Sequence, residues 1–157
     1  MSEFMMPVDE EFAPYDHQLA QLRVPPHSTE AESSVLGGLL LDNQAWDRVG
    51  DLLIESDFYR FEHRLIYAGI AKLVNASKPA DVITVYEHLQ SIGKSEEVGG
   101  LAYLNALAQY VPSASNIRRY AEIVRERAIL RKLVTVGDEI AGNALNPAGR
   151  DVKALLD

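Results

Sequence analysis

No proline interrupts the chain from Ser115 to Leu145, and helix formers dominate that stretch. It therefore reads as one helix of about 30 residues, roughly 45 Å long at 1.5 Å per residue. The sequence before it, from Val24 to Pro112, supplies a body only ~25–30 Å across. A helix that long must project beyond such a body. Its apolar pattern agrees. Ile117, Tyr120, Ala121, Val124 and Ala128 share one side at ~100° per residue. Past Ala128 that side turns polar, with Thr135, Asp138, Glu139 and Gly142, while Ile129, Leu133, Val136, Ile140 and Ala144 lie broadly opposite, extended by Leu130, Val134 and Ala141. The first half can pack on the chain's own body. The second half needs other cover, because an exposed apolar stripe of this length marks an interface. Its natural partner is the helix that returns after the Asn146-Pro147-Ala148-Gly149 turn, forming a hairpin, and after that a second chain.

The preceding stretch breaks into short amphipathic segments. Pro25-Pro26 holds the chain extended and blocks any helix before it. Ser28 or Thr29 caps the next segment, and Thr29 with Glu32 matches a capping box. Val35, Leu36, Leu39 and Leu40 repeat at helical spacing. Gly37 and Gly38 sit inside that helix at a cost of roughly 1 kcal/mol each, which close packing against another helix would offset. Further helices are expected over about Gln44–Ile54, Glu62–Asn75, Asp81–Ile92 and Leu101–Gln109, with Asp81 as an N-cap and Gly93 as a stop. Ser56-Asp57-Phe58-Tyr59 forms a connector with two aromatic anchors, and Pro112-Ser113 closes the unit. No segment alternates with period two for long. The fold class is all-α: a compact multi-helix globular head followed by a long projecting helix that begins a helical hairpin. Residues 1–23 form a disordered acidic tail, 24–112 the head, 113–146 the long helix, and 147–157 a turn and the truncated start of the second hairpin helix, leading to a linker.

Composition narrows the function. At 157 residues the chain can bury a sizeable core without staples, and its lack of cysteine removes thiol nucleophiles, Cys zinc sites and disulfides. The longest apolar run, Val35 to Leu41, is far short of the ~20 residues of a membrane span. Five acids against one base in the first 23 residues argue against a secretory signal. A net charge of −8 disfavours autonomous DNA binding. Gly93-Lys94-Ser95 imitates the end of a P-loop, but position 88 is His88 rather than glycine and the segment follows a helix. His17, His27, His63 and His88 are far apart and lack metal-ligand spacing. The basic stretch Arg118, Arg119, Arg125, Arg127, Arg131 and Lys132 leaves direct binding of single-stranded nucleic acid as the alternative function. Ion pairs such as Arg118–Glu122 are the plainer account of those charges.

Several stretches together resemble one family. They are Val24-Pro25-Pro26-His27-Ser28, Glu30-Ala31-Glu32, Ser34 through Asn43, Trp46-Asp47, Asp57-Phe58-Tyr59 with His63-Arg64, and Pro79 through Thr84. Val98 through Leu104, Pro112-Ser113-Ala114, Asn116-Ile117 and Tyr120 through Ala128 complete the series. In order and spacing they are similar to the N-terminal domain of the bacterial replicative DNA helicase, the DnaB family. The resemblance implies a helical head with a projecting hairpin, pairing through hairpins, and three pairs forming a collar on a hexameric ring. It further implies primase docking through the primase C-terminal domain, with a helicase loader left open as a further partner, and a cytoplasmic site at the replisome. Ile129, Leu133, Val134, Val136 and Ile140 would be interface residues, Leu155 would lie at the start of the second hairpin helix, and primase contact would fall on hairpin positions in this region and on the face bearing Tyr103. ATP and Mg²⁺ would belong to a motor domain outside this chain. The chain itself is expected to need no cofactor or metal, to have no ATPase or unwinding activity, to bind little DNA, and to associate with no membrane.

Overall fold

The computed structural model describes residues 24–110 and 114–157. The tail expected over residues 1–23 and the closure expected at Pro112-Ser113 lie outside the described residues. Among the described residues there are seven α-helices and no strand. They are α1 (Thr29–Leu41), α2 (Trp46–Val49), α3 (Phe61–Asn75), α4 (Val82–Ser91), α5 (Gly100–Gln109), α6 (Ile117–Leu145) and α7 (Val152–Leu156).

Helix α1 is the centre of the head. Ala31, Val35, Leu36, Leu39 and Leu40 are all buried, and the helix packs on α6, α5 and α3 at once. That is why its second half, Val35 to Leu41, is apolar nearly all round. Gly38 sits at the crossing with α6: a Cβ there would lie 2.8 Å from Ile117 Cδ1. The head is completed by Phe58, Ile66, Tyr67 and Ile70 around α3, and by Val85, Leu89, Leu104 and Leu107 from α4 and α5. Burial pushes the Tyr67 phenol well above its ordinary pKa, and its hydroxyl donates to Leu53 O at 3.0 Å.

Local chemistry explains most boundaries. Asp81 caps α4: its Oδ1 accepts from Thr84 N at 2.9 Å, while Thr84 Oγ1 accepts from Asp81 N at 2.8 Å. Gly93, at φ +72°, ends α4, with Lys94 N donating back to Leu89 O at 2.9 Å. The Gly93-Lys94-Ser95 run is thus a helix stop.

Two expectations need correction. The helix expected over Gln44–Ile54 is only a 3₁₀ turn, Asn43–Ala45, running into the four-residue α2. Asp42 caps that turn, and the Asn43 side chain bonds Leu39 O, Ala80 O and Ala80 N, which fixes the segment through tertiary contacts. Thr29 and Glu32 do not form a capping box. Ser28 caps α1, its Oγ accepting from Ala31 N at 3.2 Å, and Glu32 is buried elsewhere.

Candidate interaction site

Two surfaces carry the residues singled out from sequence, and no residue lines both of the clefts found there. The first is the outer part of α6. Ile117, Ala121 and Val124 are buried in the head, whereas every residue from Lys132 to Leu145 is exposed. Leu133 is 62% exposed and Ile140 66%, with Ile129, Leu130, Val134 and Val136 also exposed. Ile129, Leu133, Val136 and Ile140 follow one another at helical spacing, so they make one stripe. At its inner end the stripe enters a cleft of about 680 Å³, walled by Ile54 and Asp57 of the head and by Arg125, Ile129, Leu133 and Val136.

Beyond α6 the chain reverses. Arg150 N donates to Pro147 O at 3.1 Å, and its guanidinium reaches Asn143 Oδ1 at 3.0 Å. Asp151 caps α7 by accepting from Ala154 N at 2.8 Å. Leu155 is the half-buried residue of this short helix; Val152 and Leu156 are exposed. The returning segment leaves the α6 stripe uncovered.

The second surface lies between α1 and α5. Thr29, Glu30 and Ser33 face Tyr103, Ala106, Leu107 and Tyr110 across a cleft of about 330 Å³. Beneath it runs a buried polar chain. Glu32 Oε1 lies 2.8 Å from His63 Nδ1, and His63 Nε2 lies 2.6 Å from the Tyr103 hydroxyl. With the ring proton on Nδ1, His63 donates to Glu32 and accepts from Tyr103. The Glu32 carboxylate also accepts from Tyr59 N at 2.8 Å and Arg60 N at 3.4 Å. Glu32 is 1% exposed and His63 fully buried. Burial raises the Tyr103 pKa, against the opposing pull of Arg60.

The basic stretch is largely occupied by the chain itself. Arg118 does not pair with Glu122; it donates to Arg48 O at 3.1 Å, and Arg119 takes Glu126 at 3.3 Å and Glu122 at 4.0 Å. Arg125 pairs with Asp57 at 2.7 Å. Arg131 donates to Pro26 O at 2.9 Å and Asp57 O at 2.6 Å, its guanidinium 5.5 Å from the centre of the Tyr59 ring, which stacks on His27. Burial lowers the Arg131 pKa. These contacts fasten the long helix to the head at the point where its apolar face changes side.

The partners of Glu32, His63, Asp57 and Arg131 escaped the reading from sequence. A signal existed for two of these residues. Glu32 shares a helical stripe with Val35, Leu36 and Leu39, and His63 with Ile66, Tyr67 and Ile70. Both polar residues stand at the first position of an apolar i, i+3, i+4, i+7 series, which places them on a core face. Among the described residues no group of three or more His, Cys, Asp or Glu is arranged to hold a metal. No described helix is long and apolar enough to cross a membrane.

A helical head with a long helix that projects an uncovered apolar stripe defines the class of domain by its fold. Residues 24–126 match the DnaB-like helicase N-terminal domain model, and the chain belongs to that family. It is 51% identical to the replicative DNA helicase DnaB of Haemophilus influenzae over 90% of its own length, spanning 30% of that relative. The crystal structure of the N-terminal domain of DnaB helicase from Mycobacterium tuberculosis superposes with a TM-score of 0.81 at 38% identity, over 85% of this chain and 94% of that one. The N-terminal domain of DnaB helicase from Helicobacter pylori, described with its interactions with primase, gives a TM-score of 0.65 at 27% identity, over 74% of this chain and 91% of that one.

Proposed function

We propose that this chain is the collar domain of a hexameric replicative DNA helicase, and that it assembles with copies of itself and docks primase. The observation that carries the reading is the apolar stripe Ile129, Leu133, Val136, Ile140, left uncovered in a chain of this family. Two copies pair through that stripe, with Val134 beside it, and three pairs complete the collar. Leu155, in α7, lies near the start of the second hairpin helix, which extends the pairing surface. The primase C-terminal domain meets the face bearing Tyr103. ATP, Mg²⁺ and unwinding belong to a motor outside this chain, and the whole works in the cytoplasm at the replisome. The alternative, direct binding of single-stranded nucleic acid by α6, loses support because Arg118, Arg119, Arg125 and Arg131 bond to the chain's own carbonyls and carboxylates.

Light-scattering mass during size-exclusion chromatography tests this, alone and with the cognate primase C-terminal domain. The expected result is a dimer or larger species that becomes heavier with primase. Ile140→Asn should reduce it to a monomer with unchanged helical circular dichroism. A variant that keeps both its mass and its primase complex would refute the assignment of the stripe.

A further inference from the structure

The buried Glu32–His63 pair has no part in the assembly described above, and its placement is costly. Taking a carboxylate and an imidazole out of water costs free energy that a well-packed apolar pair would not. The pair also does not end inside the core. It ends on the hydroxyl of Tyr103, a half-buried side chain that forms one wall of the α1–α5 cleft. The Tyr103 ring lies nearly parallel to the His63 ring, with centroids 5.9 Å apart and planes 12° apart. Glu32 is held in turn by two backbone N–H groups, of Tyr59 and Arg60. The imidazole thus has one oriented nitrogen anchored to a fixed carboxylate and the other aimed at a surface tyrosine.

From this geometry we propose that Glu32 and His63 are positioning residues, which fix the Tyr103 ring in the orientation that the primase C-terminal domain recognises. The proposal rests on the reading that primase docks on the Tyr103 face. A tyrosine has two side-chain torsions, and a ring locked before contact loses less freedom on binding. The hydrogen bond to His63 supplies the lock. His63 acts through Tyr103 and makes no contact with the partner.

The test pairs affinity with ring orientation. Calorimetric Kd for the primase C-terminal domain would be measured with the wild-type chain, Tyr103→Ala, Tyr103→Phe, His63→Gln, and the Tyr103→Phe/His63→Gln double variant. Tyr103→Phe and His63→Gln should each weaken binding by about three- to tenfold, the range of one neutral hydrogen bond. The double variant should bind within about twofold of Tyr103→Phe, because His63 has nothing left to orient. Tyr67→Phe, which also loses a buried hydroxyl bond but lies away from the cleft, should lower stability and leave Kd unchanged.

Ring signals of ¹³C-tyrosine, recorded without partner, give a second readout. Those of Tyr103 should move toward random-coil values in His63→Gln. Unchanged ring signals, an unchanged Kd in His63→Gln, or fully multiplied losses in the double variant would overturn the proposal. If His63→Gln does not fold, wild-type affinity in Tyr103→Phe overturns it alone. A failure of the docking reading looks different: Tyr103→Ala then binds as well as the wild type, or the wild-type chain does not bind at all.

Discussion

The two halves of α6 are one continuous helix with opposite fates. From Ile117 to Arg131 the helix is part of the head: Ile117, Ala121 and Val124 are buried, and Arg125 and Arg131 tie it to Asp57 and Pro26. From Lys132 to Leu145 it carries as many aliphatic side chains and buries none. Backbone propensity does not separate the halves, and apolar content does not either. What differs is whether this chain supplies a surface opposite the apolar side. The inner half is a folding element, and the outer half is an element that the described residues leave without a packing partner.

Stability measurements can break that comparison. The largest effect should come from Ile117→Ala. Ile117 is 1% exposed and fills the crossing with α1, so the variant leaves a cavity and should lose about 2–5 kcal/mol in urea unfolding. Ile140→Asn, on the outer half, should stay within roughly 0.5 kcal/mol of the wild-type chain when both are unfolded at a concentration low enough to keep the wild type monomeric, since association otherwise adds to apparent stability. Equal losses at the two positions would mean that the halves do not differ in the way their burial says.

Gly38→Ala should come next. The added methyl would stand 2.8 Å from Ile117 Cδ1, so the end of that side chain must shift. Such overpacking costs roughly 1–3 kcal/mol, and the better helix propensity of alanine returns up to about 1 kcal/mol. A net loss of about 1 kcal/mol is expected. A gain in stability would show that the α1–α6 crossing is looser than this contact indicates.

Legibility from sequence follows the same division. The change of face near Ala128 was readable because a 29-residue helix gives a 100° period many turns in which to show itself. The Gln44–Ile54 segment misled because its apolar spacing fits a helix. Its start is a 3₁₀ turn held by Asn43, which bonds Ala80 across 37 residues of sequence, and its helix ends already at Val49. Glu32 is the sharper case. Its position fits a capping box with Thr29 and equally fits the core stripe of α1. The decision is made by His63, 31 residues away, which no local pattern contains. Periodicity reports which faces are apolar. It does not report which polar group has a buried partner, and the α1–α5 cleft owes its Tyr103 wall to such a pair.

The smallest prediction applies the Gly38 substitution to the outer half, where its sign should reverse. Gly142 lies on α6 opposite the apolar stripe, and a Cβ there would have no heavy atom within 4 Å. Gly142→Ala therefore adds no clash and removes a helix-weakening residue, a gain of up to about 1 kcal/mol. That gain is local, because nothing in the head is bound to this part of the helix and its opening need not disturb the core. Amide hydrogen exchange should slow for residues 138–146 by up to roughly fivefold, while the urea midpoint and the self-associated mass stay where they were. If the urea midpoint rose together with the local protection, the outer half would unfold as one unit with the head. The contrast between the halves would then lie in their surfaces alone and not in their cooperativity.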